Sequence, residues 1–400
     1  MKKLFSSYKA SFNGLSKEVW ILAFITLINR SGTMVIPFLS IYLKKSLHFS
    51  LADVGWIMTI FGIGSLTGSW LGGKLTDKIG YHKTMFLSLV FTGIAFVFLQ
   101  YANTFWQFSI AIYALMSIAD AFRPASYVAL NAYSTVENKT RSITLIRLAI
   151  NLGFSVGPAI GGLIITSLGY SKLFWLDGIT CLIAGLLIFL LLHPKKTTIQ
   201  TEDIVENPIS VSKDKVFLLF LIAMVLFGVA FVQYFSTMPL FWKEKIQLSE
   251  FSIGLLMAFN GFLIFILEMP LVKWLESKYK TTAIILLGGL LVAISFITVN
   301  STSWAGIVII AMFLLTVGEM VSFPFSNSFA LSRAKRGNSG QYMGLYTVSF
   351  SIAHIVGHKL GMSLIAKYGY FYTWNFFFFV MMLSGVAMFF TIKQLKKEKS

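Results

Sequence analysis

The feature that most constrains this chain is a long apolar segment, repeated twelve times along 400 residues. The segments run approximately over residues 19–43, 52–75, 84–101, 105–133, 143–168, 172–193, 216–242, 250–272, 282–300, 303–331, 341–366 and 371–393. They are numbered here as spans 1 to 12. A helix that crosses the hydrocarbon core needs about 20 mostly apolar residues, with Gly and Pro tolerated. The segments meet that length and are far too long for barrel strands. Only helices and closed barrels satisfy their backbone polar groups in lipid. The sequence therefore predicts an all-α membrane protein with twelve transmembrane helices. Composition agrees: 12% of residues are charged, against about 25% in soluble domains. That excludes a soluble enzyme, a disordered chain and a nucleic-acid-binding domain. The single cysteine, Cys181, excludes a disulfide framework and a cysteine-rich metal site. Met1-Lys2-Lys3 is basic, but no short apolar core with a small-residue cleavage site follows, so span 1 reads as retained rather than as a cleaved signal peptide.

The net charge of +17 then has a topological explanation. With the N-terminus inside, the seven inner segments hold 23 of the 33 Lys and Arg residues, the outer loops hold six, and four lie inside spans. The positive-inside rule places both termini in the cytoplasm. The expected location is the plasma membrane, most simply a bacterial inner membrane. No basic cluster has the motif context that nucleic-acid binding would need.

The longest loop without an apolar run, 194–215, divides the chain into an N-terminal bundle (1–193), a cytoplasmic linker and a C-terminal bundle (216–400). The two parts align at an offset of about 200 residues. Gly157 to Gly161 falls on Gly357 to Gly361, and Pro124 and Ser126 fall on Pro324 and Ser326. One residue shorter, Gly55, Met58 and Gly62 fall on Gly254, Met257 and Gly261, while Lys74 and Asp77 fall on Lys273 and Glu276. Four matches in register predict two pseudo-symmetric six-helix bundles, with the substrate site between them and alternating access by rocking.

The loop after span 2 reads Gly73-Lys74-Leu75-Thr76-Asp77-Lys78-Ile79-Gly80-Tyr81-His82-Lys83. It resembles the signature loop of the major facilitator superfamily. Gly73, Asp77, Lys78, Gly80 and Lys83 match, while Tyr81 and His82 depart from the usual basic pair. The resemblance extends over the whole chain in span count, topology and repeat. It implies the major facilitator fold, and a gating role for this loop. The bland alternative for Asp77 is a solvated helix-end carboxylate. Gly153, Gly157, Pro158, Gly161 and Gly162 in span 5 resemble the glycine-rich motif of this superfamily's proton-linked antiporters. Glycines four apart lie along one helix face and allow a close crossing, and Pro158 is expected to bend the helix. The arginine that the superfamily often carries in outer span 4 is absent from Ala111 to Met116.

Ionisable residues inside a span are costly and by default functional. The deepest are Arg30, Asp120, Arg123, Arg147, Glu319, His354, His358 and Lys359. The resemblance implies that spans 1, 4, 7 and 10 line the central cavity, which directs Arg30, Asp120, Arg123 and Glu319 to one site. Asp120 and Arg123, three apart, can also be a permanent ion pair. A carboxylate in a partly dry cavity is suited to carry a proton. Glu319 is the first candidate, competing with substrate for Arg30, and Asp120 is the reserve. Arg30 and Arg123 would bind substrate, with Asn29, Gln233, Tyr234 and Asn327 as further lining. Arg147 can instead snorkel to the interface. His354 and His358 can relay protons or merely cap a cavity wall, and they are too few for a metal site. Asp177 is expected at the start of span 6, serving that helix's N-terminus.

No nucleotide motif or catalytic triad appears, so neither a cofactor nor an enzymatic activity is expected. The first functional reading is a proton-coupled antiporter that exports small amphipathic or drug-like molecules. The alternative is a proton-coupled importer of a charged nutrient such as a peptide or amino acid. A membrane-integral enzyme or sensor is the third, without a loop long enough to serve it. The expected partners are a small-molecule substrate, protons and the lipid bilayer, for a monomer.

Overall fold

The structure is a computed structural model that describes residues 14–135, 138–195, 211–302, 304–334 and 339–398. Most of the predicted linker, 196–210, lies outside the described residues. Among those described there are helices and no strand. Eleven of the helices are long and apolar enough to cross a membrane. The last, Ser339–Lys397, is interrupted at Gly369 (φ 78°, ψ 176°) and is long enough to supply spans 11 and 12. The fold is thus the twelve-helix membrane fold that the apolar runs predict. Large apolar side chains such as Trp106, Phe98 and Phe189 are more than 60% exposed. So much exposed apolar surface fits a lipid-facing belt.

Three spans are broken, each just before a proline. Span 1 is two helices, Lys17–Ser31 and Val35–Ile41, ending in a π-helical turn, Tyr42–Ser46. Span 4 is Phe105–Ala119 followed by Phe122–Tyr133. Span 7 is Lys215–Phe231, a 3₁₀ turn Val232–Phe235, and Thr237–Glu244. Pro37, Pro124 and Pro239 each occupy the third position of the second helix. Proline is tolerated in a first turn, whereas further inside it would clash with the carbonyl four residues back. Pro158 lies inside an uninterrupted helix, Lys139–Leu168, as do Pro270 and Pro324 in theirs.

The chain forms two compact units. One contains the described residues of Met1–Phe38, Ile60–Gln200 and Ser249–Phe262, the other those of Leu39–Thr59, Thr201–Leu248 and Leu263–Ser400. The first unit is built around Val19, Leu22, Met85, Ala125 and Ile188, all 2% exposed or less. In the second, phenylalanines from spans 7, 10 and 11 interlock. Phe220 meets Phe329 with ring centroids 4.7 Å apart, Phe231 meets Phe323 at 4.9 Å, and Phe323 meets Phe350 at 5.5 Å. These rings fill the packing between spans.

Candidate functional site

Span 5 crosses span 1 with almost no side chain between them. A Cβ on Gly153 would lie 2.5 Å from the Cβ of Arg30, one on Gly157 would lie 2.9 Å from the carbonyl of Ser31, and one on Gly161 would lie 3.0 Å from the Cβ of Met34. The glycine stripe therefore seats the stretch of span 1 that carries Arg30. Gly162 faces elsewhere, toward the backbone of Glu250, and Ser155 donates to the carbonyl of Ala258 at 2.8 Å.

Where span 1 breaks, the backbone N–H groups of Met34 and Val35 both donate to Asp177, at 3.0 and 2.8 Å. Asp177 is fully buried, eight residues into Tyr170–Leu191. It does serve a helix N-terminus, but that of the second helix of span 1 rather than its own. The sequence hides this because the cap comes from 143 residues away. Asn29 is beside the same helix, with its amide 3.7 Å from the Cys181 sulfur.

A cavity of about 230 Å³ opens in this unit, lined by Arg30 and Arg123 together with Phe122, Tyr127, Phe154 and aliphatic side chains of spans 1, 4 and 5. The Arg30 guanidinium lies 5.7 Å from the Phe154 ring centroid, within reach of a cation–π contact. Its Nε is buried and makes no hydrogen bond among the described residues. Asp120, Arg123 and Tyr127 are within electrostatic range of Arg30. Asp120 is buried at the break in span 4 and accepts hydrogen bonds from the Ser65 hydroxyl and, at 3.4 Å, from Nη2 of Arg123. The Arg123 side chain is half exposed. With one carboxylate and two guanidiniums, this site carries a surplus positive charge.

Tyr127 and Phe154 were not singled out by the sequence reading. A usable signal exists for the first: Arg123, Ser126, Tyr127 and Leu130 recur at helical spacing on one face. Asn29 contacts Cys181 and is not among the cavity-lining residues.

The other predicted residues lie in the second unit. Gln233 is fully buried, and its amide nitrogen donates to the carbonyls of Val229 (2.8 Å) and Gly357 (2.9 Å). Its oxygen accepts from Thr237 at 2.9 Å, so Gln233 secures the break in span 7. Tyr234 is buried against Phe235 and Trp242. The charge of Glu319, a partly buried residue, reaches the Tyr234 phenol. Asn327 is exposed. Lys359 stacks on Trp56, its ammonium 3.2 Å from the ring centroid, and Arg147 is exposed.

In the signature loop, Asp77, Lys78 and Lys83 are exposed, and a Cβ on Gly73 would meet nothing within 4 Å. The close approach on span 2 is instead made by Gly64, Gly68 and Gly72 against the backbone of Tyr113, Ser117 and Ala121. Spans 2 and 11 do come together, at Gly55, whose Cβ would lie 3.2 Å from Lys359 Cα. Gly80 adopts φ 86°, a glycine conformation that ends span 2. The departures at 81 and 82 have a structural use. Tyr81 exchanges hydrogen bonds with the backbone of Lys195 (2.7 and 3.2 Å), and His82 Nε2 donates to the carbonyl of Leu192 at 2.8 Å. They tie this corner to the end of span 6, where Lys195 also pairs with Glu18 at 2.7 Å.

One charged cluster was missed from sequence. Arg333 donates to Asp214 through Nε (3.0 Å) and Nη2, and to Glu398 through Nη1 (2.8 Å). Asp214 also caps Lys215–Phe231 through the N–H of Phe217 and accepts from Tyr342. Arg333 and Tyr342 stand 119 and 128 residues from Asp214, and Glu398 stands 65 from Arg333, so only folding joins them.

Residues 19–358 match the Major Facilitator Superfamily profile. The chain is 24% identical to a Na(+), Li(+), K(+)/H(+) antiporter of Planococcus maritimus, over 90% of this chain and 91% of that one. It is 27% identical to an uncharacterized MFS-type transporter, YttB, of Bacillus subtilis (89% and 90% covered). It is 21% identical to the quinolone resistance protein NorA of Staphylococcus aureus (88% and 90% covered). A solved POT family transporter in complex with 5-aminolevulinic acid superposes with a TM-score of 0.80 at 14% identity, covering 95% of this chain and 96% of that one. At that identity the likeness is one of fold.

Proposed function

Because this chain belongs to the major facilitator superfamily, we propose that it is a proton-coupled secondary transporter exporting small amphipathic molecules by alternating access. The observation that carries the reading is the cavity where aromatic side chains stand beside Arg30, a guanidinium whose buried Nε has no partner among the described residues. A buried guanidinium N–H without an acceptor is costly. It becomes favourable when a ligand supplies the acceptor. Phe122, Tyr127 and Phe154 suit a flat apolar body, and Arg30 and Arg123 suit one polar or anionic group on it. Asp120 and Glu319 are the carboxylates assigned to carry protons, and both termini are taken as cytoplasmic. Export in exchange for protons is supported by the span 5 stripe and by the relatives named as an antiporter and as a resistance protein. The surplus positive charge speaks against an alkali cation as the cargo of this cavity.

That same charge favours a second reading. An anion that takes Arg123 from Asp120 leaves the carboxylate to pick up a proton, so anion and proton would travel together. Proteoliposomes holding the purified protein separate the two. Ethidium and a fluorescent aromatic carboxylate are each followed under an imposed pH gradient. Movement opposite to the proton supports antiport, and movement with it supports symport. Loss of neither flux in Arg30→Gln removes this cavity from the substrate path.

A further inference from the structure

His358 is fully buried in span 11, and both of its ring nitrogens are engaged. Nδ1 lies 2.9 Å from the Ser236 hydroxyl, and Nε2 lies 3.1 Å from Nδ1 of His354. A nitrogen–nitrogen contact of that kind needs a proton between the rings and has room for only one. Two imidazoles joined in this way titrate as a pair. Ser236 sits where span 7 is broken, its hydroxyl 3.5 Å from the carbonyl of Val232. Its own carbonyl accepts from the Ser40 hydroxyl at 2.7 Å. When Nδ1 of His358 is bare, the Ser236 hydroxyl donates to it. When a further proton arrives at Nδ1, that nitrogen becomes the donor, and the serine hydrogen turns to Val232. A proton on Nδ1 of His358 thus decides how the break in span 7 is hydrogen-bonded, and the singly charged pair always carries one there.

We propose that His354 and His358 form a proton-binding pair, the second ring fully buried and the first partly so, that sets the geometry of the span 7 break and, through Ser236 and Ser40, of the segment 39–59. The transport role of the pair rests on the proton-coupled reading above; its binding of the proton does not. Other ionisable groups stand on the surrounding elements. Tyr234 on the break feels Glu319 of span 10. Lys359, next on the same helix, is turned onto Trp56. Glu244 is held by Lys45 at 3.0 Å and Tyr370 at 2.7 Å, and Arg333 is engaged by Asp214 and Glu398.

The chain has five histidines, few enough for ¹⁵N-imidazole NMR of the full protein in nanodiscs, with single His→Gln variants giving the assignments. The expected result is one shared N–H···N proton and uptake of one further proton by the pair between about pH 5 and 8. His354→Gln should then move the His358 midpoint by at least about one pH unit. Two independent titrations, or no protonation of either ring in that range, overturn the proposal. Hydrogen exchange supplies a second arm, corrected for the intrinsic effect of pH. The amides of residues 233–238 and 240 should differ at least about threefold in protection between pH 6 and 8 in the wild type, and not in His358→Gln. Equal protection in the wild type overturns the coupling to the break. Should His358→Gln fail to fold, His354→Gln replaces it. If wild-type proteoliposomes move neither dye, the proposed function fails, while both of these arms still decide the proton pair.

Discussion

The crossing of spans 1 and 5 and the crossing of spans 7 and 11 are two copies of one device, and they have been filled differently. In each, a broken helix lies against a stripe of glycines. Gly157 and Gly161 face Ser31 and Met34, while Gly357 and Gly361 face Val229 and Gln233. Where the first copy has Gly153 against Arg30, the second has Ala353, and the missing Cβ has moved to the opposite helix, to Gly228. The backbones still approach, because one side or the other gives way. The polar content has diverged. The first copy leaves Arg30 at a cavity, and its break is capped by Asp177. The second is closed by Gln233 and His358, and at the position of Asp177 it has Phe377, fully buried. Packing geometry thus survives in a repeat more readily than the chemistry at its centre.

The comparison can be broken at several points. The largest effect is expected at Asp177, which has no counterpart in the second copy. Asp177→Ala leaves two buried N–H groups unmet, at about 1–3 kcal/mol each. Thermal unfolding in detergent should show a large drop, and a shift as small as that of an exposed control would refute the capping role. Next come the small-residue sites. Gly153→Ala and Gly228→Ala each force overpacking of about 1–3 kcal/mol, but only the second should be rescued by Ala353→Gly, as read by the same melts. Arg30→Gln and Gln233→Leu should then separate function from stability. The first is expected to lower dye flux about tenfold or more, from a lost charged hydrogen bond of about 1.5–3 kcal/mol, with the melting temperature unchanged or raised. The second should cost about 1 kcal/mol of stability and leave the apparent KM within twofold. The opposite pattern in either variant would dissolve the division of labour. Smallest is Tyr81→Phe, expected to cost about 0.5–1.5 kcal/mol and to loosen the backbone at 193–195 to hydrogen exchange.

The spans were legible because a membrane-crossing helix is encoded by sheer apolar length, which needs no partner to be recognised. The breaks were not. Pro37, Pro124 and Pro239 stand at breaks, while Pro158, Pro270 and Pro324 lie in continuous helices. The difference lies in what the tertiary structure offers the freed backbone groups, as Asp177 does for span 1. At the site, Arg30, Asp120 and Arg123 announced themselves by their cost in lipid, and the fold brings them within range of one another. Asn29 and Gln233 looked like cavity residues by polarity alone, but they are engaged with Cys181 and with the neighbouring backbone. Polarity signals a need for a partner without saying whether that partner is a ligand. The Arg333 cluster escaped notice because its charges stand at helix ends, where a single sequence makes them look solvated.

Gly169 and Gly369 join spans 5 to 6 and 11 to 12, with φ and ψ of 82° and 171° at one and 78° and 176° at the other. A Cβ at either would meet nothing within 4 Å. What bars other residues there is not crowding but handedness. A D-amino acid would settle into the turn where every L-residue is strained. The two connections are therefore mirror-image positions, as Gly80 is between spans 2 and 3, and each joins its two helices through a single residue.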